Sequence, residues 1–451
     1  MTEFIDIIPR SETKHHFEEG ATAKDMSGLL PARLATTGDI PARSSKRQIL
    51  LISNVYGTGQ HCYFTINRQV AQSPPHERAD VYCAILYALH EDQKNAKKDR
   101  VRLIEPFRET DDARAPTLDW LIFDHQLRYP DLPKVVDCVI SYSNITDKAA
   151  RRIKDHRYPL AQLLIFNQFF PENVHINMTV KKALVYEAEN AFAVFSLGTR
   201  IYNHFDTMYR MARKRIRHYI FRPRPSQTFL DTEITSGGKE KVVLSFCGMC
   251  GELAEKLKET VLAARAMGIA TEKIKDASLH VHGISTVEYE RSMAFLEHHL
   301  KSGRLKPIPV PPGTQEDIRD AMMTAHLVLM TSRSEPFGMI GLEAIAAGIP
   351  VLISDKSGLA DMIMDLIKEG ICHPDRRRRI VHTSVNESDI DEDAKVWAAQ
   401  ILDTLEHIDA EFAKAADFKN ELKKSKYWEE SHQTFLRACG IASNEPLCSD
   451  V

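Results

Sequence analysis

The chain lacks the features that would mark it for a membrane, an oxidising compartment or a polyanion. No apolar run in its 451 residues approaches the roughly 20 needed to span a bilayer. Its first residues, Met-Thr-Glu-Phe-Ile-Asp-Ile-Ile-Pro-Arg, have neither a basic start nor a long apolar stretch, so they do not read as a secretory signal. Cysteine is sparse and scattered. Of eight, only Cys247 and Cys250 are close, in Cys-Gly-Met-Cys. A zinc site needs a second pair or His at ligand spacing, and neither follows, so no metal is expected. A redox pair is the alternative; reduced cytoplasmic thiols are the default. Charge of one sign is also missing: 59 basic against 62 acidic residues leave −3, so no global field favours nucleic acid. No internal repeat of roughly 20–50 residues appears. The Asn-x-Ser/Thr triplets at Asn144, Asn177 and Asn386 carry no weight without a secretory signal.

What is present is an ordinary globular composition, 43% apolar and 27% charged, in a chain long enough for two large domains. Residues 1–46 show no sustained periodicity and read as a poorly ordered arm. From Arg47 the pattern alternates strand and helix. Strands are expected at Gln48–Ser53, Val81–Leu86, Trp120–Phe123, Val136–Ser141, Leu163–Phe166 and Ala191–Ser196. After the punctuation of Pro223-Arg-Pro225 and Ser236-Gly-Gly238, the pattern restarts with strands Lys241–Phe246, Ala277–His282 and Leu327–Met330, and helices near Glu252–Met267, Thr286–Lys301 and Glu316–Thr324. The expected fold is α/β: two Rossmann-type doubly wound domains, 47–230 and 231–424, facing a central cleft. A terminal helix at 425–440 places Trp428, Phe435 and Leu436 on one stripe.

The most informative stretch is 329–358. Glu335 and Glu343 bracket Pro336-Phe337-Gly338, and a helix is expected from Met339 to Ala347. Pro336 fixes φ before the turn, and Gly338 permits close approach of a ligand. Free amides at the helix start attract phosphate. Two carboxylates flanking such an anion site suit a ligand with hydroxyls on both sides of a diphosphate, such as a nucleotide sugar. The plain alternative is a strand–loop–helix with a solvated Glu at each end.

The stretch resembles the Glu-x7-Glu signature of family-four retaining glycosyltransferases of the GT-B fold. Ser332, Glu335, Pro336, Phe337, Gly338, Leu342, Glu343, Ala344, Ala346, Gly348, Pro350 and Val351 match its consensus. The resemblance spans about residues 47–440 and is strongest at 327–361. It implies transfer of a sugar from a nucleotide diphosphate, a UDP-sugar foremost, to a hydroxyl acceptor without metal or other cofactor. Glu335 would contact the sugar, and Glu343 the ribose. The amides of Phe337, Gly338, Met339 and Ile340 would hold sugar and phosphates. The family's N-terminal glycine loop falls on Gly57 and Gly59, and base recognition on loops such as that at Gly283. A terminal helix crossing back to the first domain is a further family trait.

The sequence departs from the family in several places. The second domain usually opens with Gly-Arg and a Lys about five residues on, which bind the diphosphate. Here Gly248 is followed by Met249, and Ala254 occupies the Lys position. Lys256, the proposed catalytic cation, and Lys258 lie nearby, but a shift of two residues rotates a helical side chain by about 200°. Ser143 and Asn167 stand where acceptor-facing histidines are common, with His61, His125 and His204 as candidate replacements. The family's later Gly-Gly-x-x-Glu becomes Ser357-Gly358-Leu359-Ala360-Asp361. The run Arg376–Arg379 is either a polyanion site or a solvated turn. These departures leave a second function open: a nucleotide-sugar sensor or scaffold with little turnover.

Overall fold

The computed structural model describes residues 46–57, 62–108, 114–142, 145–168, 170, 178–234, 240–248, 253–300 and 305–441; the expected arm at 1–46 lies outside the described residues except for Lys46. The first sheet comprises β1 (Arg47–Ile52), β2 (Ala79–Ala84), β3 (Val101–Ile104), β4 (Cys138–Tyr142), β5 (Gln162–Asn167), β6 (Ala193–Leu197) and β7 (His218–Phe221). Its order is β3-β2-β1-β4-β5-β6-β7, parallel throughout. The second comprises β8 (Lys241–Phe246), β9 (Ala277–His282), β10 (Ile308–Val310), β11 (Leu327–Met330), β12 (Val351–Ser354) and β13 (Ile380–Val381). Its order, β10-β9-β8-β11-β12-β13, repeats the first, and it too is parallel.

Helices cover both faces of such sheets, so central strands read as continuous apolar runs rather than alternations. Cys138–Tyr142, Leu327–Met330 and Val351–Ser354 are buried at every residue. In each sheet the strand order reverses beside its first strand, between β1 and β4 and between β8 and β11. Open α/β sheets bind ligands outside the carboxyl ends at such a switch point. The Glu335 loop leaves the carboxyl end of β11, so it lies at the switch point of the second sheet.

One expected strand is a helix. Leu118–Ile122 is helical, entered from Thr117, with Trp120, Leu121 and Ile122 all buried. A short apolar run buried on several sides does not distinguish strand from helix by periodicity. Here the run joins an apolar cluster that includes Leu50, Ile52 and Ala84, with the Arg128 guanidinium 4.2 Å from the Trp120 ring centroid.

The last described helices return to the first sheet. After the helix Ile408–Ser425, Tyr427 donates to the Pro223 carbonyl at 2.8 Å. The helix Glu429–Ala438 then buries Phe435 completely. Its ring centroid lies 6.3, 5.5 and 6.0 Å from those of Phe166, Phe195 and Phe221, on β5, β6 and β7. Phe435 and Leu436 form the buried part of the expected stripe, whereas Trp428 precedes the helix and is only half-buried.

Candidate functional site

The loop after β11 is built around one glycine. Gly338 has φ +106° and precedes the helix Met339–Ala347, called here the motif helix. A Cβ at Gly338 would lie 2.3 Å from the mobile tip of Met330, Cε, so the positive φ rather than space is what calls for glycine. The loop is also tied to the segment after β12. Glu335 N–H donates to the Lys356 carbonyl at 3.0 Å, Gly358 N–H to the Glu335 carbonyl at 3.1 Å, and Leu359 N–H to the Phe337 carbonyl at 2.6 Å. Eight of the nine motif-helix residues are buried, Glu343 among them.

The two acids sit in different surroundings. Glu335 is half-buried, and its Oε1 accepts from Phe337 N–H at 3.4 Å. Burial, with the Glu259 charge second, lifts its carboxyl to about 7, while bonds from the Phe337 and Gly338 amides pull the other way. Glu335 therefore already engages the Phe337 amide, one of those expected to hold the sugar and phosphates, just ahead of the motif helix. Glu343 is 1% exposed, and its Oε2 has no hydrogen-bond partner. Burial lifts its carboxyl to about 8. An unpartnered buried acceptor costs roughly 1–3 kcal/mol, a deficit that a hydroxyl-bearing ligand would relieve.

The structure brings Glu335, Phe337, Gly338, Met339, Ile340 and Glu343 onto one loop and its helix. Phe337 is fully buried, and a Cβ at Gly198 of the first lobe would lie 3.0 Å from its ring. Gly248 is exposed beyond β8. Gly283, φ +99°, follows the adjacent β9, and its N–H donates to the Val310 carbonyl at 2.9 Å. Just before it, His282 is buried, stacks on Phe246 at 5.1 Å and has an unpartnered Nε2; burial pushes its ring down to about 4. Gly57 lies at the far end of β1, where its N–H donates to Asp92 at 2.8 Å and its missing Cβ makes room for Arg68. Gly59, Met249, Cys250, Ser143 and His61 lie outside the described residues, as do the side chains of Ala254, Lys256 and Lys258.

Other candidates are packed within the first lobe or held in ion pairs. Asn167 donates to Ser196 Oγ at 3.2 Å and to the Tyr209 hydroxyl at 3.1 Å, inside the first lobe. His125 is buried, its ring 6.1 Å from that of His156, and His204 packs edge-on to Phe170 at 5.0 Å. Half of the arginine run is spent on ion pairs. Arg376 grips Glu421 at 2.7 and 3.1 Å, and Arg379 pairs with Glu411. The exposed Arg378 and the buried Arg376 and Arg379 border a cavity of about 430 Å³.

Two residues of the loop's environment were not read from sequence. The Ser332 hydroxyl donates to the Glu259 carboxylate, and Thr331 to the Glu259 carbonyl at 2.7 Å. Arg333, 7% exposed, donates to Asp393 at 2.6 Å and to the Ser384 carbonyl. Both partners are remote in sequence, and no local pattern marks them. Among the described residues, no three His, Cys, Asp or Glu side chains form a metal-ligand set.

Comparison with solved structures places this architecture in the GT-B class. A glycosyltransferase from Rickettsia africae superposes with a TM-score of 0.59 at 12% identity, covering 89% of this chain and all of that one. Anabaena HepE in complex with UDP-glucose superposes with a TM-score of 0.56 at 15% identity, covering 87% and 99%. Within that class the chain belongs to the family described as "Family 4 Glycosyltransferase in conflict systems", whose model matches residues 50–435. Curated relatives are matched only locally. The D-inositol 3-phosphate glycosyltransferase of Jonesia denitrificans is 38% identical over 68 residues, 15% of this chain and 16% of that protein. The mannosylfructose-phosphate synthase of Agrobacterium fabrum is 33% identical over 128 residues, 27% of each chain. The chain thus spans about a quarter or less of the length of these relatives. No described helix is long and apolar enough to cross a membrane.

Proposed function

We propose that the chain transfers a sugar from a nucleotide diphosphate sugar, a UDP-sugar foremost, to a hydroxyl acceptor, with retention at the anomeric carbon and without a metal ion. One observation carries this reading: Glu335 and Glu343 flank the N-terminus of a buried helix, and Glu343 keeps an unpartnered Oε2. Glu343 accepts from the ribose hydroxyls, and Glu335 from the sugar. As the donor binds, the Phe337 and Gly338 amides turn from Glu335 to the donor's oxygens. The acceptor oxygen forms its bond to the anomeric carbon on the face from which the diphosphate leaves. The bond from that carbon to the phosphate oxygen breaks, and the departing oxygen takes the acceptor's proton. The products are a glycoside and a nucleoside diphosphate.

The test is calorimetric titration with UDP, UDP-glucose and GDP-mannose, followed by turnover with and without EDTA and NMR assignment of the product anomer. An inverted product overturns retention, and loss of turnover in EDTA overturns metal independence. Absence of binding by all three ligands overturns the donor reading. A second reading, a sensor or scaffold that grips the nucleotide sugar without turnover, is favoured by Met249 and Ala254 at the family's cationic positions and by the engagement of the Gly57 amide with Asp92. Saturable binding with no release of nucleoside diphosphate decides for it.

A further inference from the structure

The helix Gly358–Lys368, with the residue that ends it, carries Asp361, Asp365 and Glu369 at four-residue spacing, hence on one stripe. The first lobe meets all three. Arg200 Nε and Nη2 donate to Asp361 at 2.7 and 3.0 Å, the Thr199 hydroxyl donates to Asp365 at 2.7 Å, and Arg222 grips Glu369 with Nη1 at 2.9 Å and with Nη2. Thr199 and Arg200 stand in the first turn of the helix Gly198–Tyr209, directly after β6. The Asp361 carboxylate therefore faces the other lobe through Arg200.

Arg200 reaches further than an ordinary surface pair. Its Nη2 also donates to the Asp355 carbonyl at 3.0 Å. Asp355 and Asp361 bracket Lys356-Ser357-Gly358-Leu359, the segment whose backbone bonds hold Glu335 and Phe337. Beside it, Gly198 sits against the Phe337 ring. A single guanidinium of the first lobe thus fastens both flanks of the segment that positions Glu335. From this geometry we infer that Arg200 is a positioning residue, coupling the spacing of the lobes to the placement of the Glu335 loop. The donor-binding consequence rests on the function proposed above; the mechanical one does not.

Both partners are partly solvated, with side-chain exposures of 25% and 37%, so the fastening weakens with salt. Small-angle scattering and calorimetry on the full chain test it together. Arg200→Ala and Asp361→Ala are expected to increase the radius of gyration, and 0.5 M salt is expected to do the same in the unmodified protein. The charge-swapped pair Arg200→Asp/Asp361→Arg, which rebuilds the ion pair but not the bond to the Asp355 carbonyl, is expected to restore it in part. UDP-glucose affinity is expected to fall about tenfold in each single variant, with an unchanged melting temperature, and to recover in part in the swap. Arg200→Lys, which lacks the bidentate fork, is expected to recover only part. Unchanged scattering in both single variants overturns the inference. If the unmodified protein binds neither UDP nor UDP-glucose, the donor reading fails while the scattering result still decides the role of Arg200.

Discussion

Gly358 meets Pro336 backbone to backbone: a Cβ on Gly358 would lie 2.3 Å from the Pro336 carbonyl oxygen and 3.0 Å from Phe337 Cα. The contact presses the start of one helix against the loop that begins another, and it explains why a glycine is needed where the chain opens that helix. Backbone cannot swing aside as a flexible side chain can. Gly358→Ala is therefore expected to displace the Glu335 loop, lowering stability by about 1–3 kcal/mol and abolishing measurable UDP-glucose binding. Urea denaturation with calorimetry checks both. Wild-type affinity in a folded Gly358→Ala variant would remove the loop from the donor site.

Glu343 makes stability fall as pH rises. Its carboxyl lies near 8 in the folded chain against an ordinary value of 4.5. Between these values the folded state keeps a proton that the unfolded state has released, so the slope of unfolding free energy with pH is negative. Each unit of separation corresponds to about 1.4 kcal/mol. Glu343→Gln, which stays neutral, is expected to remove this group's part of the decline between pH 5 and pH 8. Urea midpoints at the two pH values measure it, and an equal decline in both proteins would contradict the burial argument.

The same acid predicts a proton signature of ligand binding. Hydroxyl donors aimed at Glu343 favour its ionised form, so binding of UDP at pH 7 should release protons. Titrations in phosphate and in Tris, whose ionisation enthalpies differ, should then give different apparent heats. The difference is expected to vanish in Glu343→Gln. Identical heats for the unmodified protein would show that the nucleotide does not reach this carboxyl.

How much of this was legible in the chain depends on the range of each interaction. The strands Lys241–Phe246, Ala277–His282 and Leu327–Met330 fall where continuous apolar runs predict them, because a parallel sheet buries both faces. Leu118–Ile122 misled because its run is too short to show a period. β3, β7, β10, β12 and β13 were not anticipated; each is two to four residues long and lies at a sheet edge or next to it. The Glu335 loop was readable because its turn residues are contiguous. Its supports were not: Glu259, Arg200 and Asp393 reach it only through the fold.

Glu335 is the acid on which turnover is expected to depend. Glu335→Gln keeps an oxygen for the Phe337 amide but cannot carry charge, so binding of UDP alone is expected to persist. Release of UDP from UDP-glucose should fall roughly a hundredfold or more, the usual loss of about 3 kcal/mol when one preorganised electrostatic contact is removed. A coupled assay for nucleoside diphosphate release reads this directly. Undiminished turnover would place the chemistry elsewhere in the cleft.

The pair Arg333–Asp393 braces the loop from beneath, with side-chain exposures of 7% and 8%. Such a pair need not add net stability, but breaking it leaves a buried charge uncompensated at about 3–5 kcal/mol. Arg333→Met is expected to cost that much in urea denaturation. Asp393 also accepts from the Ser384 N–H at 3.0 Å, so the double variant Arg333→Met/Asp393→Asn, which keeps an acceptor there without the charge, is expected to regain most of the loss. A double variant no more stable than Arg333→Met would mean that arginine packing, rather than charge pairing, holds the loop.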